Sequence, residues 1–124
     1  DYNEIPKVVL NAEEITFFQD LIKRVPVADN VLKYAVTLAT NTRPENSSSP
    51  QIVKQYVSWG AGPRASQYLV LGAKTHAVIH GKYSPDIEDV RAVAKAILRH
   101  RIVRNYKAEA ENISTDAIIA ELLK

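Results

Sequence analysis

At 124 residues, with 46% hydrophobic and 24% charged side chains, the chain has the size and composition of one compact domain with its own core. A net charge of +2, with acids and bases interspersed, excludes the strong positive field that non-specific nucleic-acid binding requires. The chain has no cysteine, which excludes disulfides and thiol chemistry and fits a reducing compartment.

No apolar run approaches the roughly 20 residues that span a bilayer, and no signal-peptide pattern is present, so no membrane insertion is expected. The chain begins at Asp1 and contains no methionine, which reads as a piece of a longer protein. Residues 1–10, with Pro6 among them, read as a short extended lead-in.

Asn11 followed by Glu14 forms a capping-box pattern, with Asn standing in for Ser or Thr. Ile15, Phe18 and Ile22, flanked by Phe17 and Leu21, recur at helical spacing over residues 12–24. That stripe is expected to pack into a core. Val25-Pro26-Val27 ends the helix. A second helix is expected over residues 29–40, with Val31, Ala35 and Leu38 on one face and Leu32, Val36 and Ala39 widening it. So broad an apolar arc implies a central helix with neighbours on two sides.

Residues 41–49, with Pro44 and a serine triplet, read as a flexible, solvated loop. Ser49-Pro50 then starts a short helix to about Ser58, by the N-cap and first-position rule, with Ile52, Val53, Tyr56 and Val57 inward. Trp59 ends it and reads as a core anchor rather than a platform for a base.

The chain turns on Trp59-Gly60-Ala61-Gly62-Pro63-Arg64-Ala65-Ser66. Two glycines and a proline force a sharp turn, and Pro63 suits the first position of a new helix. Arg64 is then expected in the first turn of that helix, at the positive end of the macrodipole, where acids are the favoured residues. A cation held there implies an anionic partner such as a phosphate. The alternative is a solvated arginine that follows a tight turn.

The helix from Pro63 to about His80 is expected to be the longest, with Ala65, Leu69, Ala73, His76 and Ala77 on one face and Tyr68, Leu71, Val78 and Ile79 extending it. Gly72 costs about 1 kcal/mol against Ala in a helix interior, so close packing is its expected reason. Gly81 suits the C′ position. Asp86 is expected to cap the next helix, with Glu88 and Asp89 at its positive end and Arg99, His100 and Arg101 at its negative end. Residues 102–112 read as irregular or partly extended, and Ser114 as the cap of a terminal helix carrying Ile118, Ile119, Leu122 and Leu123. The expected fold is all-α: a small helical bundle of about six helices with short extended connectors, one domain over residues 1–124.

Self-contained chemistry is absent from the pattern. His76 and His80 share a helical face at a spacing that can bind zinc, but Ala77 stands where a zinc protease carries Glu, so no metal site is expected. Ser47, Ser48 and Ser49 lack a glycine elbow, and Glu13-Glu14 and Glu88-Asp89 are explained by capping. No phosphate-cradling loop ending in Gly-Lys-Ser/Thr occurs, nor an acidic cluster on an apolar strand to hold magnesium. The chain alone is therefore not expected to hydrolyse ATP. Arg99 to Arg104 with Lys107 is the densest basic patch, and reads as a helix cap in preference to a phosphate surface.

The run from Tyr56 to Ser66 resembles the second-sensor segment in the lid of MoxR-type AAA+ ATPases, whose usual pattern is Gly-Ala-Ser-Pro-Arg-Ala; this chain departs from it at Gly62. Further matches follow in the family's order: Thr42-Arg43-Pro44, Glu88-Asp89-Val90, Leu98-Arg99-His100-Arg101-Ile102 and Asn105-Tyr106. The resemblance covers the chain from about Val25 to its end.

It implies a lid that closes over ATP bound to a separate core, with Mg2+ held by that core. Arg64 would contact the γ-phosphate, with Gly60, Ala61, Pro63 and Ala65 forming the cofactor-binding segment around it. The implied partners are its own core, neighbouring subunits of a ring and von Willebrand A-domain proteins, in cytoplasmic, chaperone-like remodelling or maturation. A lid from a magnesium-chelatase-type remodeller would share the mechanism and differ in its client. A stand-alone helical protein-interaction module without nucleotide chemistry is the competing reading.

Overall fold

The structure, a computed structural model, describes residues 11–124. The lead-in expected over residues 1–10 lies outside them. In chain order the elements are α1 (Ala12–Arg24), α2 (Asp29–Thr40), α3 (Gln51–Tyr56), β1 (Val57–Trp59), α4 (Ala65–Ile79), α5 (Ile87–Leu98), β2 (Val103–Arg104), α6 (Tyr106–Ala110) and α7 (Thr115–Leu122). The all-α expectation holds, and α1 and α2 have the expected bounds. Among the described residues one more helix forms than expected: α6 lies in the stretch read as irregular. Two connectors pair as a small antiparallel sheet, β1 with β2.

Most helix starts follow from their own side chains. The Asn11 Oδ1 accepts a hydrogen bond from the Glu14 N–H at 2.8 Å, and Ser114 Oγ accepts from the Ala117 N–H at 3.0 Å. Asp86 and Asp89 complete a reciprocal capping box at the head of α5. Asn105 caps α6 through its Oδ1 and ties that cap to α3 by donating from Nδ2 to the Gln55 carbonyl at 2.7 Å. At the end of α4, Gly81 takes φ 75°, and the Gly81 and Lys82 N–H groups donate to Val78 and Ala77, which is a Schellman closure.

The core gathers around α4, which packs on α5, α2 and α1. Leu69 and Ala73 of α4, Val31 and Leu38 of α2, Val90 and Leu98 of α5, and Ile118 and Ile119 of α7 are buried together. Gly72 owes its place to this packing: a Cβ there would lie 2.8 Å from Ile97 Cδ1 and 3.1 Å from Val93 Cγ2 of α5.

Several sequence expectations are corrected. Of the α1 stripe, Ile22 is buried but Ile15, Phe17 and Leu21 are exposed, because α1 lies at the edge of the bundle and leans on α4. On α4 the widening residues Tyr68, Leu71 and Ile79 are likewise exposed. Trp59 is 73% exposed rather than a core anchor. The helix before it stops at Tyr56, and Val57 enters the core as the first residue of β1. A register irregularity between Val57 and Trp59 breaks the two-residue alternation that would have turned Trp59 inward as well.

Pro50 is the N-cap of α3 rather than its first helical residue, because the Ser49 hydroxyl is committed elsewhere, to the Arg43 carbonyl at 2.6 Å. Residues 41–49 are a hydrogen-bonded loop, not a loose one. Asn41, Asn46 and Ser48 bond one another through their side chains, and Lys54 Nζ reaches back to the Ser47 carbonyl at 2.9 Å. Short polar side chains here satisfy local partners, which is why this composition need not mean disorder.

Candidate phosphate site at the start of α4

The loop after α2 and the turn before α4 are locked together by one side chain. Thr42 is fully buried; its hydroxyl donates to the Ala39 carbonyl at 2.6 Å and accepts from the Ala61 N–H at 2.8 Å. Arg43 Nε donates to the Ala61 carbonyl at 3.0 Å, so both backbone groups of Ala61 are held by this loop. Gly60 makes the approach possible: a Cβ there would sit 2.4 Å from the Thr42 carbonyl oxygen, an overlap with backbone that nothing could relieve by a rotamer change. Thr42-Arg43 and Gly60-Ala61, far apart in sequence, thus form one clamp.

The clamp fixes the direction in which the chain enters α4. Pro63 and Arg64 form a turn closed by the Ala65 N–H bonding to the Gly62 carbonyl at 3.1 Å. The helix then begins at Ala65, two residues later than expected, with Arg64 as its N-cap in αR geometry and no side-chain cap present. The expected conflict between Arg64 and the helix dipole therefore stands one position further out, at the cap rather than in the first turn. Gly62 has φ outside the left-handed region, and a Cβ there would meet nothing within 4 Å.

The residues expected to surround the phosphate divide into two groups. Ala61 and Ala65 are each 1% exposed and belong to the core, and Gly60 faces the Thr42 backbone; they set the turn. Pro63 and Arg64 are exposed. Among the described residues, no acidic side chain pairs with the Arg64 guanidinium. Gly62, Pro63, Arg64 and Ala65 line an open cavity of about 410 Å³, and its remaining wall is Arg101. Arg101 belongs to the basic segment read as a helix cap. Its Nη1 does donate to the Ile97 carbonyl at 2.7 Å, but its guanidinium also lies over the Tyr68 ring, 4.6 Å from the centroid. Sequence reasoning missed this meeting of Arg64 and Arg101. The available signal was Tyr68, one helical turn beyond Arg64, with an aromatic face suited to an arginine.

A larger groove of about 540 Å³ lies between α1 and α4, lined by Ile15, Phe18, Ile22 and Leu71 with Lys23 at its margin. Gln19 and Thr75 also line it, but its wall is mainly apolar and holds no acidic or histidine side chain, so its size does not make it the seat of chemistry.

The histidine pair is engaged within the protein. His76 Nδ1 meets Asp89 Oδ1 at 2.7 Å, His80 Nδ1 meets the His76 carbonyl at 2.8 Å, and the two rings stack at 4.1 Å. Among the described residues, no three His, Asp or Glu side chains are grouped to hold a metal ion. Asp89, 2% exposed, also receives Lys82 Nζ at 2.6 Å and the Asp86 N–H at 2.9 Å. Burial alone would raise its pKa, but the Lys82 ammonium, the Asp86 N–H and His76 outweigh burial and hold the carboxyl down at about 2. The network joins the end of α4 to the head of α5, far from Arg64 along α4.

Comparison with known proteins bears on the family and the fold. The family model of the AAA lid domain matches residues 49–122. The chain is 30% identical over 118 residues to the chaperone MoxR1 of Mycobacterium tuberculosis, covering 95% of this chain and 31% of that protein. It is 27% identical over 115 residues to the uncharacterised protein YeaC of Bacillus subtilis, covering 93% of this chain and 33% of that one. The crystal structure of a Cytophaga hutchinsonii protein described as an ATPase superposes with a TM-score of 0.84 at 33% identity, over 90% of this chain and 34% of that chain. The chain thus spans about a third of the length of the curated relatives it matches. Among the described residues, no helix is long and apolar enough to cross a membrane. With its helical fold, its clamped turn and these matches, the chain belongs to the AAA lid domain family and is a lid of the MoxR type.

Proposed function

We propose that this lid closes over ATP held by a separate AAA+ core, and that Arg64 reads the γ-phosphate. The observation that carries the reading is Arg64 itself: an exposed guanidinium without an acidic partner among the described residues, set on a turn that Thr42, Arg43 and Gly60 hold in place. A fixed, forked donor suits charge spread over several phosphate oxygens. The cavity beside it is open and basic and fits a phosphate, whereas Mg2+ finds no group of three His, Asp or Glu ligands among the described residues and would be held by the core. Bound ATP supplies the phosphate charge; the chain supplies cations positioned for it.

Loss of the γ-phosphate removes a contact that favours the closed lid, and this difference in affinity is what couples hydrolysis to lid movement. Exposed Phe17, Leu71 and Ile79 on α1 and α4 give the lid apolar surface for its own core and for neighbouring subunits of a ring. Remodelling or maturation of client proteins in the cytoplasm, alongside von Willebrand A-domain partners, completes the reading.

The test is Arg64→Ala in the full-length ATPase. Turnover is expected to fall on the order of 10²-fold, as for loss of a donor aimed at transition-state charge. The melting temperature of the lid is expected to hold or rise slightly, since a cation leaves the positive end of a helix. Normal turnover with a destabilised lid would make Arg64 a structural residue and favour an interaction module without nucleotide chemistry.

A further inference from the structure

We infer that Arg101 is a second guanidinium of the same phosphate site, acting beside Arg64 on one polyphosphate; the inference rests on the nucleotide reading of that site. The two arginines are separated by the whole of α4 and α5 in sequence, yet line one shallow cavity. Like charges brought together repel, and among the described residues neither has an acidic partner to offset the other. An anion between them would convert that repulsion into two attractions.

Arg101 differs in this from the other cations of its segment. Arg99 Nε and Nη2 are committed to Asp116 at 3.0 and 3.3 Å, and Arg104 Nη1 donates to the Ile113 carbonyl at 2.9 Å. Arg101 uses Nη1 on the Ile97 carbonyl and sits over the Tyr68 ring, which leaves Nε and Nη2 without a described partner. A side chain held by one hydrogen bond and one ring face has already lost much of its rotamer freedom. It therefore meets an anion at lower entropic cost than a free surface arginine does. A helix cap alone would need the bond to Ile97 but not the alignment over Tyr68, one turn beyond Arg64 on α4.

The experiment compares Arg64→Ala, Arg101→Ala, Arg101→Lys and the double alanine variant in the full-length ATPase. A slowly hydrolysed fluorescent ATP analogue is titrated at several salt concentrations, with thermal melting alongside. Arg101→Ala is expected to weaken binding about tenfold, the scale of one charge-assisted contact, and to flatten the salt dependence. Arg101→Lys is expected to fall between it and the parent, because it keeps charge but loses the fork and the stacking.

If Arg101→Ala binds with parental affinity and salt dependence while Arg64→Ala is impaired, Arg101 is a cap, and the Arg64 reading survives. If neither arginine affects binding or turnover, the nucleotide reading falls and takes this inference with it. If Arg101→Ala fails to fold, Arg101→Gln decides, since its amide keeps a donor for the Ile97 carbonyl but carries no charge. Parental affinity and salt dependence in that variant would overturn the proposal.

Discussion

Thr42 joins two backbone segments with a single hydroxyl, and its position makes the cost of losing it calculable. In Thr42→Val the shape is kept but the Ala61 N–H, buried with its residue, has no acceptor. Such an orphaned donor costs about 1–3 kcal/mol, and denaturant melting of the chain should show a loss in that range. Gly60→Ala should be worse, about 3 kcal/mol or more, because the new Cβ would overlap the Thr42 carbonyl at 2.4 Å and backbone must move. Gly62→Ser, two residues on and outside the cap that Arg64 occupies, should shift stability by only a few tenths of a kcal/mol, since space is open and φ is ordinary there. A loss of several kcal/mol at Gly62 would contradict this account of the turn. The difference between the two glycines was not legible in the sequence, where both read as turn formers. What separates them is the loop after α2, which packs on one and not the other.

At the scale of elements, the junction of α4 and α5 carries the pH dependence. Asp89 has its carboxyl lowered from 3.8 to about 2 in the folded chain, so the unfolded chain takes up the proton first as pH falls. The stabilisation is complete above pH 3.8 and fades as pH drops through about 2; by linkage it amounts to about 2 kcal/mol. Urea melts at pH 6 and pH 2.5 should differ by a sizeable part of this in the parent chain. In Asp89→Asn that contribution should vanish, along with the half of the capping box that Asp89 supplies. An equal pH response in both would remove Asp89 from the account.

This junction was half legible. Asp86, Asp89 and Gly81 announce the end of one helix and the start of another through local rules, because caps depend on neighbours in sequence. That Lys82 and His76 converge on Asp89 depends on how α4 packs on α5, which no local pattern encodes. The same division explains α1: its periodicity located the helix to the residue, but which half of the stripe is covered depends on having α4 on one side. For Trp59, the register irregularity in a sheet closed by a distant strand decided the outcome.

On the scale of the molecule, the chain alone is expected to be mainly helical by circular dichroism and to release no phosphate from ATP, because it has no phosphate loop. A mainly β spectrum would refute the fold, and measurable turnover by the pure chain would refute the division of labour between lid and core. Arg64 stood out in the sequence by its context, whereas the cavity it shares with Arg101 depends on the folding of α5 back along α4, which no local pattern encodes. α4 itself runs unbroken from the Arg64 cap to Gly81, fixed at one end by the Thr42 clamp and at the other by the Asp89 network. Its 15 residues make a rod of about 22 Å at the usual rise per residue. If the lid closes as proposed, the rod moves with it as one body, and a tilt of about 10° about its Arg64 end carries the far tip through about 4 Å, several times the displacement of the arginine itself.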